Sequence, residues 1–208
     1  MITMQLLENE SIRNFIYDES PKKLLIGSRR VGKTSALLLN IFRNSTRPVP
    51  RDSVYITNYS GILTILKDQL LEICNDFNYQ DVEATELIRN SYIRIRIGQS
   101  NIYLTTSKGF SGVCRHIKFK DAYIDEPNSI LDLDDLLDEI EARTIWSSND
   151  NKIIIAGSSY RNGEILRDLS ANINYSRHVA IIDDSSIEEL RQMMSTEIFR
   201  TEVLCEFI

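Results

Sequence analysis

Residues 24–34 read LLIGSRRVGKT, a short apolar run followed by the pattern Gly-x-x-x-x-Gly-Lys-Thr. This pattern predicts a strand, a tight turn and a helix that begins near Lys33. Gly27 and Gly32 allow backbone angles that a side chain would forbid, so successive N–H groups can point inward at an anion. The positive end of the following helix adds its dipole to that turn. The sequence therefore predicts a phosphate-binding loop.

The residues of this loop predict nucleotide binding. Lys33 can reach the β- and γ-phosphates of a nucleotide, and the Thr34 hydroxyl can ligate Mg²⁺. Residues 35–42, SALLLNIF, are apolar nearly all round, which is typical of a helix buried against a sheet. The predicted nucleotide-binding residues lie in the loop and the first helical turn: Gly27, Ser28, Arg29, Arg30, Gly32, Lys33, Thr34 and Ser35.

A second motif predicts what happens to the nucleotide. Residues 119–126, FKDAYIDE, read as a strand that ends in two adjacent carboxylates, Asp125 and Glu126. Ligands gather at the carboxyl ends of parallel strands, where Asp125 can hold Mg²⁺ and Glu126 can orient and deprotonate a water. Because a nucleotide kinase has no need of a water-activating Glu, the pair favours hydrolysis over phosphoryl transfer to a small acceptor.

Composition narrows the class of protein. The chain has 208 residues and a net charge of −6, so a globally basic nucleic-acid coat is excluded and DNA contact would need local patches. Its apolar runs are too short to span a bilayer, and Glu8 and Glu10 interrupt any signal-peptide core. Three widely separated cysteines fit neither a metal site nor a disulfide framework. We expect a single domain over residues 1–208, with 1–20 as an N-terminal segment.

Strand and helix patterns alternate along the chain, as in a doubly wound α/β sheet. Strands are predicted at 53–57, 119–125, 152–157 and 178–182, with a hairpin over 92–105 and helices over 62–75, 130–140 and from 186. The polar segment 76–90 is ambiguous and fits a short helix and loop. Two glycines in 106–112 predict a mobile loop. The basic, aromatic face of the hairpin fits a solvated sheet face better than a nucleic-acid contact.

With these parts in order, the chain resembles the ATPase domain of large terminase subunits, the DNA-packaging motors of tailed bacteriophages. The resemblance is carried by residues 27–34 with their internal arginines, by 121–126, by 153–159 (IIIAGSS) and by 199–207 (FRTEVLCEF). It implies a P-loop NTPase of the additional-strand type, a mostly parallel sheet with helices on both faces. It also implies ATP and Mg²⁺ as ligands.

The resemblance assigns further roles to residues of this chain. Glu126 would activate water, Thr34 and Asp125 would serve Mg²⁺, and Arg29 would sense or stabilise the γ-phosphate. Ser158 and Ser159 match the motif that couples hydrolysis to domain motion; from the residues alone, they are as consistent with a simple polar strand end. Arg115 is a candidate finger reaching a neighbouring subunit's nucleotide, although Lys108 or Arg161 could serve as well.

Three features depart from the family pattern. The only glutamine upstream of the loop is Gln5, without the context of the family's adenine-contacting glutamine, which leaves strict adenine specificity open. Pro127 follows the carboxylates where a small residue is usual. The chain also ends before the family's nuclease domain, so residues from about 195 to 208 would form a closing helix or hinge. We expect a motor domain separated from that nuclease, with no nuclease site of its own.

The leading functional hypothesis is ATP hydrolysis that drives translocation of double-stranded DNA into a viral capsid. Its implied partners are DNA, further copies of the chain in a ring, the portal and the small terminase subunit. It implies action in the host cytoplasm, transiently at the procapsid portal, without a membrane. A helicase-like ATPase acting on nucleic acid and a nucleotide-dependent assembly switch with little turnover remain alternatives.

Overall fold

A computed structural model describes residues 6–87, 92–114, 117–145, 150–159, 164–182 and 184–206. Its strands are β1 (Lys22–Gly27), β2 (Ser53–Thr57), β3 (Val82–Leu87), β4 (Tyr92–Ile97), β5 (Ser100–Thr106), β6 (Asp121–Asp125), β7 (Lys152–Gly157) and β8 (Ser176–Ala180). They form one eight-stranded sheet in the order β3-β4-β5-β2-β6-β7-β1-β8. β4 pairs antiparallel with β3 and β5, and the other neighbours are parallel.

The position of β7 decides the type of fold. This strand pairs with β1 on one side and with β6 on the other, so it separates the strand before the phosphate loop from the strand that ends in carboxylates. The carboxyl ends of the three parallel strands meet at one edge of the sheet. The predicted additional-strand P-loop fold is therefore confirmed.

Helices cover both faces of the sheet, as predicted. They are α1 (Glu10–Tyr17), α2 (Lys33–Ser45), α3 (Leu63–Asp76), α4 (Ser107–Cys114), α5 (Leu133–Ile145), α6 (Glu164–Ala171), α7 (Asp184–Met193) and α8 (Thr196–Ile198). A π-helical turn, Phe199–Val203, follows α8. We call residues 196–206 the closing segment. In the described residues, no helix has both the length and the apolar character needed to cross a membrane.

Alternation along each strand divides the core into two layers. Leu25, Tyr55 and Ile154 face α1, α2 and α3, in a cluster that includes Phe15 and Leu37. The residues next to them in sequence, including Leu24, Val54 and Ile153, face α4, α5 and α6 on the other side. Buried parallel strands need apolar side chains on both faces, and this explains why these segments read as continuous apolar runs.

Two segments differ from the sequence prediction. Residues 82–87, predicted as part of a short helix and loop, form the edge strand β3. Arg96 of β4 contributes to this pairing, since it forms ion pairs with Asp81 and Glu83. Residues 107–112, predicted as part of a mobile loop, lie in α4. Phe110 is fully buried there and packs against Phe119, which offsets the low helix propensity of the two glycines.

Smaller differences concern the ends of elements. β8 lies two residues before the predicted strand, α7 begins at Asp184 rather than Ser186, and α5 extends to Ile145. The shifts of β8 and α7 are within the one or two residues by which such assignments commonly differ. α5 begins three residues later and ends five residues later than the predicted 130–140, and the predicted architecture is unchanged.

Glu19 connects α2, the segment that follows α2, and β7. It accepts hydrogen bonds from Arg43 at 2.6 Å, from Lys152 at 2.6 Å and from Arg47. Burial opposes ionisation of Glu19, but the hydrogen bonds from Lys152, Arg47 and Arg43 outweigh it and lower the pKa to about 2. The ionised carboxylate therefore stabilises the fold.

We expect Glu19→Gln to lower the free energy of unfolding by about 1 kcal/mol near pH 7, a value reduced by solvent screening of this half-exposed side chain. Because the folded pKa of Glu19 lies below the ordinary glutamate pKa of 4.5, this stabilisation is present above pH 4.5 and is lost as pH falls towards 2. Urea unfolding of both proteins across this range measures the difference. Glu164→Gln, in the exposed first turn of α6, is the control, and a constant difference at all pH values would contradict the prediction.

Candidate active site

The phosphate loop connects β1 to α2 and contains two residues in the left-handed region. Arg30 has φ 65° and Gly32 has φ 96°. The backbone angle of Gly32 requires glycine, and a Cβ atom there would in addition lie 2.4 Å from Leu6 Cδ1, a terminal methyl group that would have to move. Gly27 differs from the prediction, because its φ is not left-handed. Its constraint is space, since a Cβ there would lie 2.7 Å from Val31 Cγ1.

Lys33 lies at the first position of α2 with its side chain buried inside the loop. Its Nζ donates to the carbonyl oxygens of Gly27 at 3.1 Å and Ser28 at 3.0 Å. The same Nζ is 3.5 Å from Glu126 Oε1. The ammonium group therefore lies between the loop backbone and the carboxylate at the end of β6, and could bind an anion between them.

Asp125 is buried at the end of β6, and both of its described contacts use one oxygen. Oδ2 accepts from Thr34 Oγ1 at 2.9 Å and from Tyr55 Oη at 2.6 Å. Oδ1 is buried and has no hydrogen-bond partner among the described residues. Burial raises the pKa of Asp125 to about 6, against the hydrogen bonds from Tyr55 and Thr34. Burial and the nearby Asp125 charge also raise the pKa of Tyr55 well above its usual value, so the phenol stays a donor.

Glu126 leaves the sheet at a left-handed residue, with φ 51°. Its N–H donates to the Ala156 carbonyl of β7 at 2.8 Å. Its Oε2 accepts from Ser158 twice, from the backbone N–H at 3.3 Å and from Oγ at 3.1 Å. Pro127 then opens a 3₁₀ turn, Pro127–Ser129, so the unusual proline occupies a position that it favours. The carboxylate of Glu126 is thus held against the end of β7 and beside Lys33.

The closing segment packs against the outer side of the phosphate loop. The Arg29 N–H donates to the Glu202 carbonyl at 2.9 Å, and Ser28 Oγ donates to the Val203 carbonyl at 2.6 Å. The Arg29 side chain is 71% exposed and forms a 3.3 Å ion pair with Glu202. The segment therefore holds the loop backbone directly.

Ser158 and Ser159, predicted together as coupling residues, have different partners. Ser158 contacts Glu126, whereas Ser159 Oγ donates to the Thr201 carbonyl in the closing segment. Consequently the end of β7 connects the carboxylate of Glu126 with the same segment that holds the phosphate loop.

Comparison with known proteins shows similarity to solved structures but not to known sequences. No protein-family model and no curated protein matches the sequence. The large terminase of a thermophilic bacteriophage, which we call the thermophilic-phage terminase, matches 96% of the chain at 12% identity, with a TM-score of 0.73. Its complex with ATP-gamma-S matches the same share at 13% identity, with a TM-score of 0.70. The ATPase domain of the Thermus phage P74-26 large terminase matches 99% of the chain at 13% identity, with a TM-score of 0.69.

The chain has the fold of a large-terminase ATPase domain. It spans 53% of the thermophilic-phage terminase but 97% of the P74-26 ATPase domain. The similarity to a large terminase is therefore to its ATPase domain. At these sequence identities, the likeness shows the fold and assigns no role to an individual residue.

Within this terminase fold, the structure brings most of the predicted site residues to one edge of the sheet. Arg30 is exposed in the loop, and Ser35 is half-buried in the first turn of α2. Arg115, Arg161 and Gln5 lie outside the described residues, whereas Lys108 is exposed on α4. Sequence reasoning missed the contacts of Tyr55 and Glu202. Glu202 lies in the tail that carries the resemblance, but Tyr55 has no motif around it.

Proposed function

We propose that the chain binds Mg-ATP and hydrolyses it, and that hydrolysis drives translocation of double-stranded DNA into a viral capsid. The observation that carries this proposal is the meeting of Lys33, Thr34, Asp125 and Glu126 at one edge of the sheet. The terminase fold supports it, as does the ATP-gamma-S complex of the thermophilic-phage terminase. The portal, the small terminase subunit and a cytoplasmic site of action follow from the same proposal.

The phosphate loop would bind the nucleotide through Lys33 and the backbone. Lys33 Nζ would exchange its bonds to the Gly27 and Ser28 carbonyls for bonds to phosphate oxygens, which carry full charge and are stronger acceptors. Arg29 has an exposed side chain with one 3.3 Å ion pair, so it could leave Glu202 and reach the terminal phosphate. Arg115 stays the proposed finger for a neighbouring subunit.

Thr34 and Asp125 fit a Mg²⁺ ion. The Thr34 hydroxyl donates a hydrogen bond to Asp125. The lone pairs of Oγ1 are therefore available to a cation. Asp125 Oδ1 is a second oxygen without a described partner. Oxygen ligands of this kind suit a hard divalent cation. Bound Mg²⁺ would neutralise charge on the phosphate oxygens.

Glu126 would act as the general base. Its carboxylate would take a proton from a water whose oxygen attacks the terminal phosphorus, while the bond to the bridging oxygen breaks and ADP leaves. Ser158 holds one carboxylate oxygen with two hydrogen bonds and so fixes the orientation of the base. Lys33 Nζ lies 3.5 Å from the other carboxylate oxygen, so the base and the phosphate-binding ammonium group are adjacent.

The closing segment would pass the change in the site to a DNA-gripping part of the motor. It is bonded to the phosphate loop through Ser28 and Arg29, and to the end of β7 through Ser159. Movement of the loop during ATP binding or product release would therefore displace this segment. Contacts to DNA are expected to use the phosphate backbone, because packaging cannot depend on sequence.

The function is tested by phosphate release from Mg-ATP at high protein concentration, with duplex DNA, single-stranded DNA or no DNA. We expect turnover that increases on addition of duplex DNA. Stronger stimulation by single strands would favour a helicase-like ATPase. Tight ATP binding without phosphate release in all three conditions would favour an assembly switch and contradict the motor.

A further inference from the structure

Tyr55 is a buried polar residue that the mechanism above does not use. It lies in the middle of β2, is fully buried, and is paired in register with Tyr123 of β6. Its phenol ring carries the hydroxyl along the neighbouring strand to Asp125, where Oη donates to Oδ2 at 2.6 Å. A neutral donor to an ionised acceptor at this distance makes a strong hydrogen bond.

The two carboxylate oxygens of Asp125 have different environments. Oδ2 accepts from both Tyr55 and Thr34, which accounts for the two acceptor positions of one carboxylate oxygen. Two donors on one oxygen restrict rotation of the carboxylate. Oδ1 stays buried without a hydrogen-bond partner among the described residues. A buried oxygen without a partner is costly, so its retention points to a ligand.

We propose that Tyr55 is a positioning residue, which holds Oδ2 of Asp125 so that Oδ1 is available to Mg²⁺ or to a water of its hydration shell. This inference rests on the proposed Mg-ATP binding. Tyr55 acts through Asp125, and the first effect of its removal is on cation binding.

Tyr123 provides a matched control for the loss of a buried hydroxyl. It is also fully buried, on the adjacent strand and in the same layer of the core. Its hydroxyl accepts from Asn44 Nδ2 at 2.8 Å and donates to Asn40 Oδ1 at 3.2 Å. Replacement of either tyrosine by phenylalanine removes one oxygen from a similar environment, but only Tyr55→Phe removes a bond to Asp125.

The test measures binding of a fluorescent ATP analogue during Mg²⁺ titration, with no turnover required. For Tyr55→Phe, we expect the Mg²⁺ concentration at half-maximal enhancement of binding to rise about tenfold, in line with loss of one hydrogen bond to a charged group. For Tyr123→Phe, we expect a change below about twofold. Affinity in EDTA is expected to stay within about twofold of wild type for both, since the phosphate loop is intact.

A double-mutant cycle separates positioning from a general loss of stability. In an Asp125→Ala background, which removes the acceptor of the Tyr55 hydroxyl, Tyr55→Phe is expected to shift the Mg²⁺ midpoint by less than about twofold, because its effect passes through the carboxylate. The same large shift in that background would overturn the inference. So would an unchanged midpoint for Tyr55→Phe, or equal shifts for both phenylalanine variants. If wild type binds the analogue in EDTA and Mg²⁺ adds nothing, the Mg-ATP proposal itself fails.

Discussion

Glu126→Gln is expected to reduce phosphate release from Mg-ATP by at least about 10²-fold while leaving ATP binding in place. The amide oxygen of glutamine can still accept from Ser158, so the hydrogen bonds that orient the side chain are retained. The amide cannot take a proton from water, and its loss of charge removes the 3.5 Å ion pair with Lys33. The variant therefore loses the proton-transfer step of hydrolysis but keeps an intact phosphate loop, which can still bind ATP.

Phosphate release and equilibrium binding of ATP, measured on the same preparations, check this prediction. Glu141→Gln is the matched control, because Glu141 pairs with Lys22 on the surface at the opposite end of β1. That variant is expected to hydrolyse ATP at the wild-type rate. Equal activity of the wild type and Glu126→Gln would mean that Glu126 is not the general base, and the proposed hydrolysis would lose its chemical centre.

The parts of the fold that the sequence predicts are those with a strong local pattern. The glycines and Lys33 define the phosphate loop within eight residues, and continuous apolar runs mark β2, β6 and β7. β3 has no such pattern, because it is an edge strand whose Glu83 pairs with Arg96. The sequence does not predict α4 because its glycines are typical of a loop, whereas burial of Phe110 depends on tertiary packing.

The candidate site also contains residues that the sequence predicts and residues that it does not predict. The residues of the two motifs, including Lys33 and Asp125, can be chosen from the sequence because each motif is contiguous. Tyr55 cannot, since its contact with Asp125 exists only because β2 lies next to β6 in the sheet. Glu202 meets Arg29 because the end of the chain returns to the loop, and no spacing rule predicts such a contact.

Arg51→Met is expected to lower the free energy of unfolding by about 3–5 kcal/mol, a large share of the roughly 5–15 kcal/mol typical of a domain. Arg51 is buried at the amino-terminal edge of β6 and binds Asp121 through two bonds, Nε–Oδ2 at 2.8 Å and Nη2–Oδ1 at 2.6 Å. It also pairs with Asp150. Methionine would leave the fully buried Asp121 carboxylate without its counter-charge.

Urea unfolding measures this loss, and Arg143→Met is the matched control. Arg143 forms a partly exposed i,i+4 pair with Glu139, so its replacement is expected to cost less than about 0.5 kcal/mol. The double variant Arg51→Met/Asp121→Asn is expected to recover part of the loss, because it removes the isolated charge rather than a favourable contact. Similar small losses for both arginine variants would contradict the prediction. Since the pair lies at the edge of the sheet opposite Asp125 and Glu126, its loss would reduce stability without changing the geometry of the proposed site in molecules that remain folded.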